Sequence, residues 1–229
     1  MLDSLKYEQI DSRKLTIESA HGKTCQWFLN TPDYNAWLDP TKLKDHNGFL
    51  WISGKPGAGK STIMKFIYLN MKRKTHGKRA ITASFFFNAR GEYLERSVVG
   101  MYRALLLQLL EGFPDLQTVL DDPDLISPSQ VSCPSLNVLK DLFRNAIFRL
   151  GKRSFTCFVD ALDECDEQQV MDMVQYFEEL AEQSIDNGLF LRICFSSRHY
   201  PYIVIQKGIR LTLEHQPGHD EDLRNYVAN

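Results

Sequence analysis

Nine consecutive residues constrain this chain more than any other stretch: Gly54-Lys55-Pro56-Gly57-Ala58-Gly59-Lys60-Ser61-Thr62. They satisfy the pattern G-x-x-x-x-G-K-[ST] at every fixed position. The run before them, Phe49-Leu50-Trp51-Ile52-Ser53, is short and apolar and reads as a buried strand. Behind them, residues 61–74 carry Ile63, Phe66, Ile67 and Met71 at helical spacing. Strand, glycine-rich turn and helix together make an anion cradle. Gly54, Gly57 and Gly59 let the backbone curl without Cβ clashes, so that successive N–H groups of the loop can face an anion; Lys55, Pro56 (which has no N–H to donate) and Ala58 are its other residues. A helix starting at Lys60 adds its positive end beneath a polyphosphate. In such a loop the Lys60 ammonium reaches the β- and γ-phosphates, the Ser61 hydroxyl holds Mg²⁺, and Thr62 lies by the α-phosphate. The competing reading, a chance match in an ordinary turn, has to explain the strand before it and the helix after it.

A second stretch fits the first. Phe155-Thr156-Cys157-Phe158-Val159-Asp160 is an apolar strand ending in a carboxylate, followed by Ala161-Leu162-Asp163-Glu164. In nucleotide-binding folds of this kind an acidic residue at that strand tip holds Mg²⁺, usually through water. Asp160 is placed for this, with Ser61 as the other expected metal ligand. Asp163 and Glu164 stand in the loop beyond, where a carboxylate can orient or deprotonate an attacking water. Octahedral Mg²⁺ keeps several waters, so few protein ligands suffice. A bland alternative exists, since Asp166 and Glu167 continue the acidic run as a solvated turn would. Further on, residues 189–195 read as a strand ending in Ser196-Ser197-Arg198. An arginine just past a parallel strand can sense a γ-phosphate; it can equally fix its own loop through carbonyls.

Composition excludes more than it proposes. The 229 residues suit one large α/β domain, or one with a small helical annex. A net charge of -2 gives no field that would gather nucleic acid or a membrane surface. The one basic cluster, Lys72-Arg73-Lys74 with Lys78-Arg79, reads as a solvated helix end. Five cysteines without a C-x-x-C pair read as free thiols in a reducing compartment. His215 and His219 are four apart, but Pro217 and Gly218 between them argue against a shared metal-binding helical face. No apolar stretch approaches the ~20 residues that a bilayer span needs. The expectation is a cytoplasmic protein without a membrane partner or a specific nucleic-acid signal.

Strand-like and helix-like segments alternate, which predicts a parallel sheet covered by helices. A helix is expected over 16–29, with Thr31-Pro32-Asp33 stopping it and residues 34–38 forming an aromatic patch. Then follow strands at 49–53 and 80–87, helices at 96–110 and 135–150, the strand ending at Asp160, a helix at 168–181, strands at 189–195 and 209–213, and a helix at 219–227. The loop over 113–134, rich in Pro, Asp and Ser, is expected to be the most mobile part.

With these segments in view the chain resembles a NACHT domain, the nucleotide-binding switch of the STAND class of P-loop NTPases, in the version found in fungal NOD-like receptor proteins. The likeness is carried by Thr24-Cys25-Gln26-Trp27-Phe28-Leu29, by residues 48–62, by Phe85-Phe86-Phe87, by residues 158–164 and by Ser196-Ser197-Arg198. The resemblance implies a three-layer α/β fold with a five-stranded parallel sheet of order 5-1-4-3-2 and helices on both faces. Residues 1–47 read as a lead-in with a docking helix, and residues 48–229 as the nucleotide-binding domain. The resemblance also implies ATP or GTP (or the diphosphate) and Mg²⁺ as ligands, Asp163-Glu164 as the acidic pair, Arg198 as the sensor arginine and Arg90 as a further γ-phosphate contact. It implies slow hydrolysis and a homo-oligomer in the triphosphate state. A motor-type ring ATPase subunit, or a small-molecule kinase, is the alternative. Proteins of this family normally continue into a small helical domain and a winged-helix lid, without which nucleotide is expected to be held more loosely.

Overall fold

The computed structural model describes residues 1–22, 24–75, 77, 79–127, 129–200 and 204–227. Residues 23, 76, 128, 201–203, 228 and 229 lie outside it, as does the basic cluster's Lys78. The elements run α1 (Ser12–Thr16), α2 (Pro32–Leu38), α3 (Leu43–His46), β1 (Phe49–Ser53), α4 (Lys60–Thr75) and β2 (Ala80–Phe86). They continue with α5 (Val98–Gly112), α6 (Leu136–Phe148), β3 (Ser154–Asp160), α7 (Glu167–Asp186), β4 (Phe190–Ser197), β5 (Ile209–Thr212) and α8 (Pro217–Val227).

All the strand pairings are parallel, and the sheet order β2-β3-β4-β1-β5 is the expected order read from the other edge. Parallel strands need crossovers that cover both faces, so the strands are apolar on both sides. Alternation sorts β1 accordingly. Phe49 and Trp51 join the core beneath α5, α6 and α7, while Leu50 and Ile52 join Ile63, Met64 and Ile67 of α4. In α5, Met101, Tyr102, Leu105, Leu106 and Leu109 are fully buried, as the spacing of its apolar residues requires.

This topology places the functional ends. The C-terminal tips of β1, β3 and β4 lie side by side, because Ser53 pairs with Ser197 and Val159 with Phe195. Crossing from β1 to α4, from β3 to α7 and out of β4 therefore puts three loops along one edge, where α/β sheets hold their ligands.

Two expectations fail in the front part. Among the described residues no helix spans 16–29: α1 stops at Thr16, and a 3-10 turn follows over Gln26–Asn30. Tertiary contacts override the helical spacing there. Cys25 sits in left-handed backbone at φ 66, and the Asp222 carboxylate accepts from Cys25 N–H (2.7 Å) and Trp27 Nε1–H (2.8 Å). The apolar residues still bury, Ile17 and Phe28 among them. Thr31-Pro32-Asp33 begins a helix instead of ending one. Thr31 Oγ1 accepts from Tyr34 N–H and Pro32 takes the first turn, where its missing N–H costs nothing. Within the loop over 113–134, residues Pro114–Asp121 form a 3-10 helix whose Leu116, Val119 and Leu120 are buried, and Arg153 clamps it by an ion pair with Asp115 at 2.7 Å.

Candidate nucleotide site

One cleft of about 320 Å³ gathers Arg13, Pro56, Gly57, Ala58, Gly59, Lys60, Ser61, Thr62, Asp160, Asp163, Glu164 and Arg198. The glycine loop and the acidic strand tip, expected to share one Mg²⁺, thus line one cavity.

Gly57 and Gly59 adopt φ of +76 and +79, backbone that a side chain would strain. Gly54 is tightly approached instead: a Cβ there would lie 3.3 Å from Glu214 Oε1, and that carboxylate accepts a hydrogen bond from Lys55 N–H. On the other side of the loop His219 Nε2 lies 2.8 Å from the Ala58 carbonyl, which requires the Nε2–H tautomer. Two residues from the chain's last turn and helix therefore brace the loop.

Lys60 opens α4, and its Nζ donates to the Gly54 and Lys55 carbonyls at 2.7 and 2.8 Å. Burial pulls its pKa down, against the attraction of the Asp163, Asp160 and Glu214 carboxylates. A polyphosphate would offer this ammonium better acceptors than two carbonyls do.

Asp160 is fully buried. Burial pushes its pKa up to about 6, although the Ser196 and Ser61 hydroxyls draw it back. Its Oδ1 accepts from Ser196 Oγ, which in turn accepts from Ala161 N–H at 3.0 Å. Its Oδ2 has no hydrogen-bond partner among the described residues. A buried carboxylate with one orphaned oxygen, beside a serine hydroxyl and at the end of an anion cradle, fits a hard divalent cation such as Mg²⁺.

Ala161 follows in left-handed backbone at φ 59, an uncommon conformation for a residue with a side chain. The kink turns the chain into a 3-10 turn over Leu162–Glu164. The Asp163 side chain is only 6% exposed and accepts from Arg198 twice, from Nε at 2.9 Å and from the backbone N–H at 2.8 Å. Glu164 Oε2 accepts from Ala89 N–H at 2.9 Å, which ties the acidic turn to the end of β2. Arg90 is next to that contact but exposed. Its N–H bonds Asn88 Oδ1 at 3.3 Å, and it is not among the residues lining the cleft.

Sequence reasoning missed Arg13, Glu214 and His219. No spacing links them to the loop; each is more than forty residues from Lys60 and reaches the site only through the fold.

Fold and site together define a P-loop NTPase of the NACHT type, in the STAND class. The chain belongs to the Nephrocystin 3, N-terminal family, whose model matches residues 23–198. It is 28% identical over 212 residues to the vegetative incompatibility protein HET-E-1 of Podospora anserina, covering 88% of this chain and 15% of that protein. The chain thus spans a small part of that relative's length. Among solved structures it is similar to Cdc6p from Pyrobaculum aerophilum, with 12% identity and a TM-score of 0.49, covering 90% of this chain and 49% of that one. It is also similar to the Drosophila ORC bound to DNA, with 13% identity and a TM-score of 0.46, covering 92% and 45%.

Proposed function

We propose that this domain is a nucleotide-operated signalling switch of the NOD-like receptor kind, with residues 48–229 binding ATP or GTP with Mg²⁺ and residues 1–47 docked against them. In this reading hydrolysis is slow, the triphosphate form assembles into a homo-oligomer, and the protein works in the cytoplasm. Among the described residues no helix is long and apolar enough to cross a membrane.

The observation that carries the reading is the meeting of the glycine loop, the orphaned Asp160 Oδ2 and the Asp163–Arg198 pair in one cleft. Ser61 and Asp160 would hold Mg²⁺, which when bound neutralises phosphate charge. Lys60 would exchange two loop carbonyls for phosphate oxygens. Glu164, oriented by Ala89 N–H, would take the proton of an attacking water. Arg198 has two rival partners, Asp163 and a γ-phosphate, and only the triphosphate supplies the second. A contact that exists in one nucleotide state alone is what lets a ligand bias two arrangements.

Lys60→Ala tests the reading directly. Calorimetric titration with Mg²⁺ and either nucleotide should show binding in the wild type and its loss in the variant. Equal affinities would refute the assignment of the loop.

A further inference from the structure

We propose that Arg13, on helix α1, is a second phosphate-reading arginine, whose guanidinium contacts the terminal phosphate of a bound nucleoside triphosphate. This deepens the nucleotide reading above and rests on it.

The cleft is lined by two arginines, and they differ in state. Arg198 is held by Asp163 through side chain and backbone. Arg13 lines the same cleft, but among the described residues no acceptor bonds its guanidinium, and its Nε is buried without a partner. Structural arginines in this chain look otherwise. Arg103 donates to the Ser4, Leu5 and Lys6 carbonyls, and Arg192 to those of Trp37 and Leu38. A buried donor facing an anion cradle and lacking an acceptor calls for one from a ligand.

Position narrows the ligand to the terminal phosphate. Arg13 lines the cleft together with Asp160, Asp163 and Glu164, the carboxylates at the end away from the glycine loop. The glycine loop and the start of α4 grip the inner phosphates, so the outermost one points toward Asp160 and Glu164.

The short helix is also held in place. Ser12 Oγ donates to Glu95 Oε1 at 2.6 Å, and Glu95 also accepts from Asn88 Nδ2 and from Glu92 N–H. Ala89, next to Asn88, holds Glu164. On the other side Lys65 of α4 bonds the Ile17 carbonyl. A phosphate contact at Arg13 would therefore couple the N-terminal segment to the nucleotide state.

The test compares wild type, Arg13→Gln and Arg13→Lys by calorimetry, with Mg²⁺ and either a non-hydrolysable triphosphate analogue or the diphosphate, in adenine and guanine forms. The expected result is a loss of about tenfold or more in triphosphate affinity for Arg13→Gln. Diphosphate affinity should stay within about threefold, and Arg13→Lys should recover part of the loss. Arg13→Met, which keeps the aliphatic stem, replaces Gln if that variant does not fold. Hydrogen exchange over residues 1–17 should slow with the triphosphate in wild type and not in Arg13→Gln. Unchanged triphosphate affinity, or equal losses for both nucleotides, would overturn the role of Arg13 alone. A wild type that binds neither nucleotide would overturn the nucleotide reading itself.

Discussion

Asp160 is a carboxylate buried at the expense of the ligand-free fold, with one oxygen unpartnered among the described residues. Burial holds its pKa near 6, against 3.8 for an ordinary aspartate, so the folded chain binds this proton more tightly than the unfolded chain does. Stability without metal therefore falls as pH rises from about 4 to about 6 and is level above that. The full cost is on the order of 3 kcal/mol. Asp160→Asn removes the charge. With a chelator present, its melting temperature should exceed that of wild type at pH 7, and the gap should close toward pH 4. A gap independent of pH would mean that Asp160 is not charged against burial. Other site residues were legible because they stand in short contiguous patterns: Lys60 and Ser61 follow glycines, and Asp160 ends an apolar run. Arg13, Glu214 and His219 carry no such mark. A lone arginine on a five-residue helix looks like any surface arginine until the cleft forms around it.

At the scale of elements, α5 shows how closely the pieces fit. Its start is capped by Ser97 Oγ, which accepts from Gly100 N–H, and the 3-10 turn over Tyr93–Arg96 folds back against it. A Cβ on Gly100 would sit 1.8 Å from the Leu94 carbonyl oxygen, a backbone atom that cannot step aside. Gly100→Ala should therefore cost about 3 kcal/mol despite alanine's higher helix propensity. Urea unfolding should show a lower midpoint at unchanged slope; a gain in stability would show that the turn yields. The strands and long helices were readable from periodicity, since each buries its apolar residues at a fixed spacing. Residues 16–29 were not, because spacing reports which side chains bury and not which backbone delivers them. Ile17 and Phe28 are buried as their spacing suggests. Asp222, almost two hundred residues away, supplies hydrogen bonds that a non-helical path needs.

For the whole molecule the central expectation is a change of assembly. If the triphosphate releases Arg198 from Asp163 and engages the acidic turn, the domain has two arrangements and the nucleotide chooses between them. Light scattering should report a larger mass with a non-hydrolysable triphosphate than with the diphosphate. A mass that stays the same in both would favour phosphate transfer to a small acceptor over a switch. The sequence by itself determined the chemistry of the loop, the acidic strand tip and the parallel, helix-covered sheet. It could do so because glycine, lysine and buried apolar runs act over a few residues, where spacing along the chain equals spacing in space. Only the tertiary structure decided how loop and acidic turn line one cleft, that Glu214 and His219 brace the loop, and that α1 brings to its edge an arginine with no acceptor among the described residues. Those contacts join residues far apart in sequence, and the order of strands in the sheet, with the helices docked on it, brings them within reach.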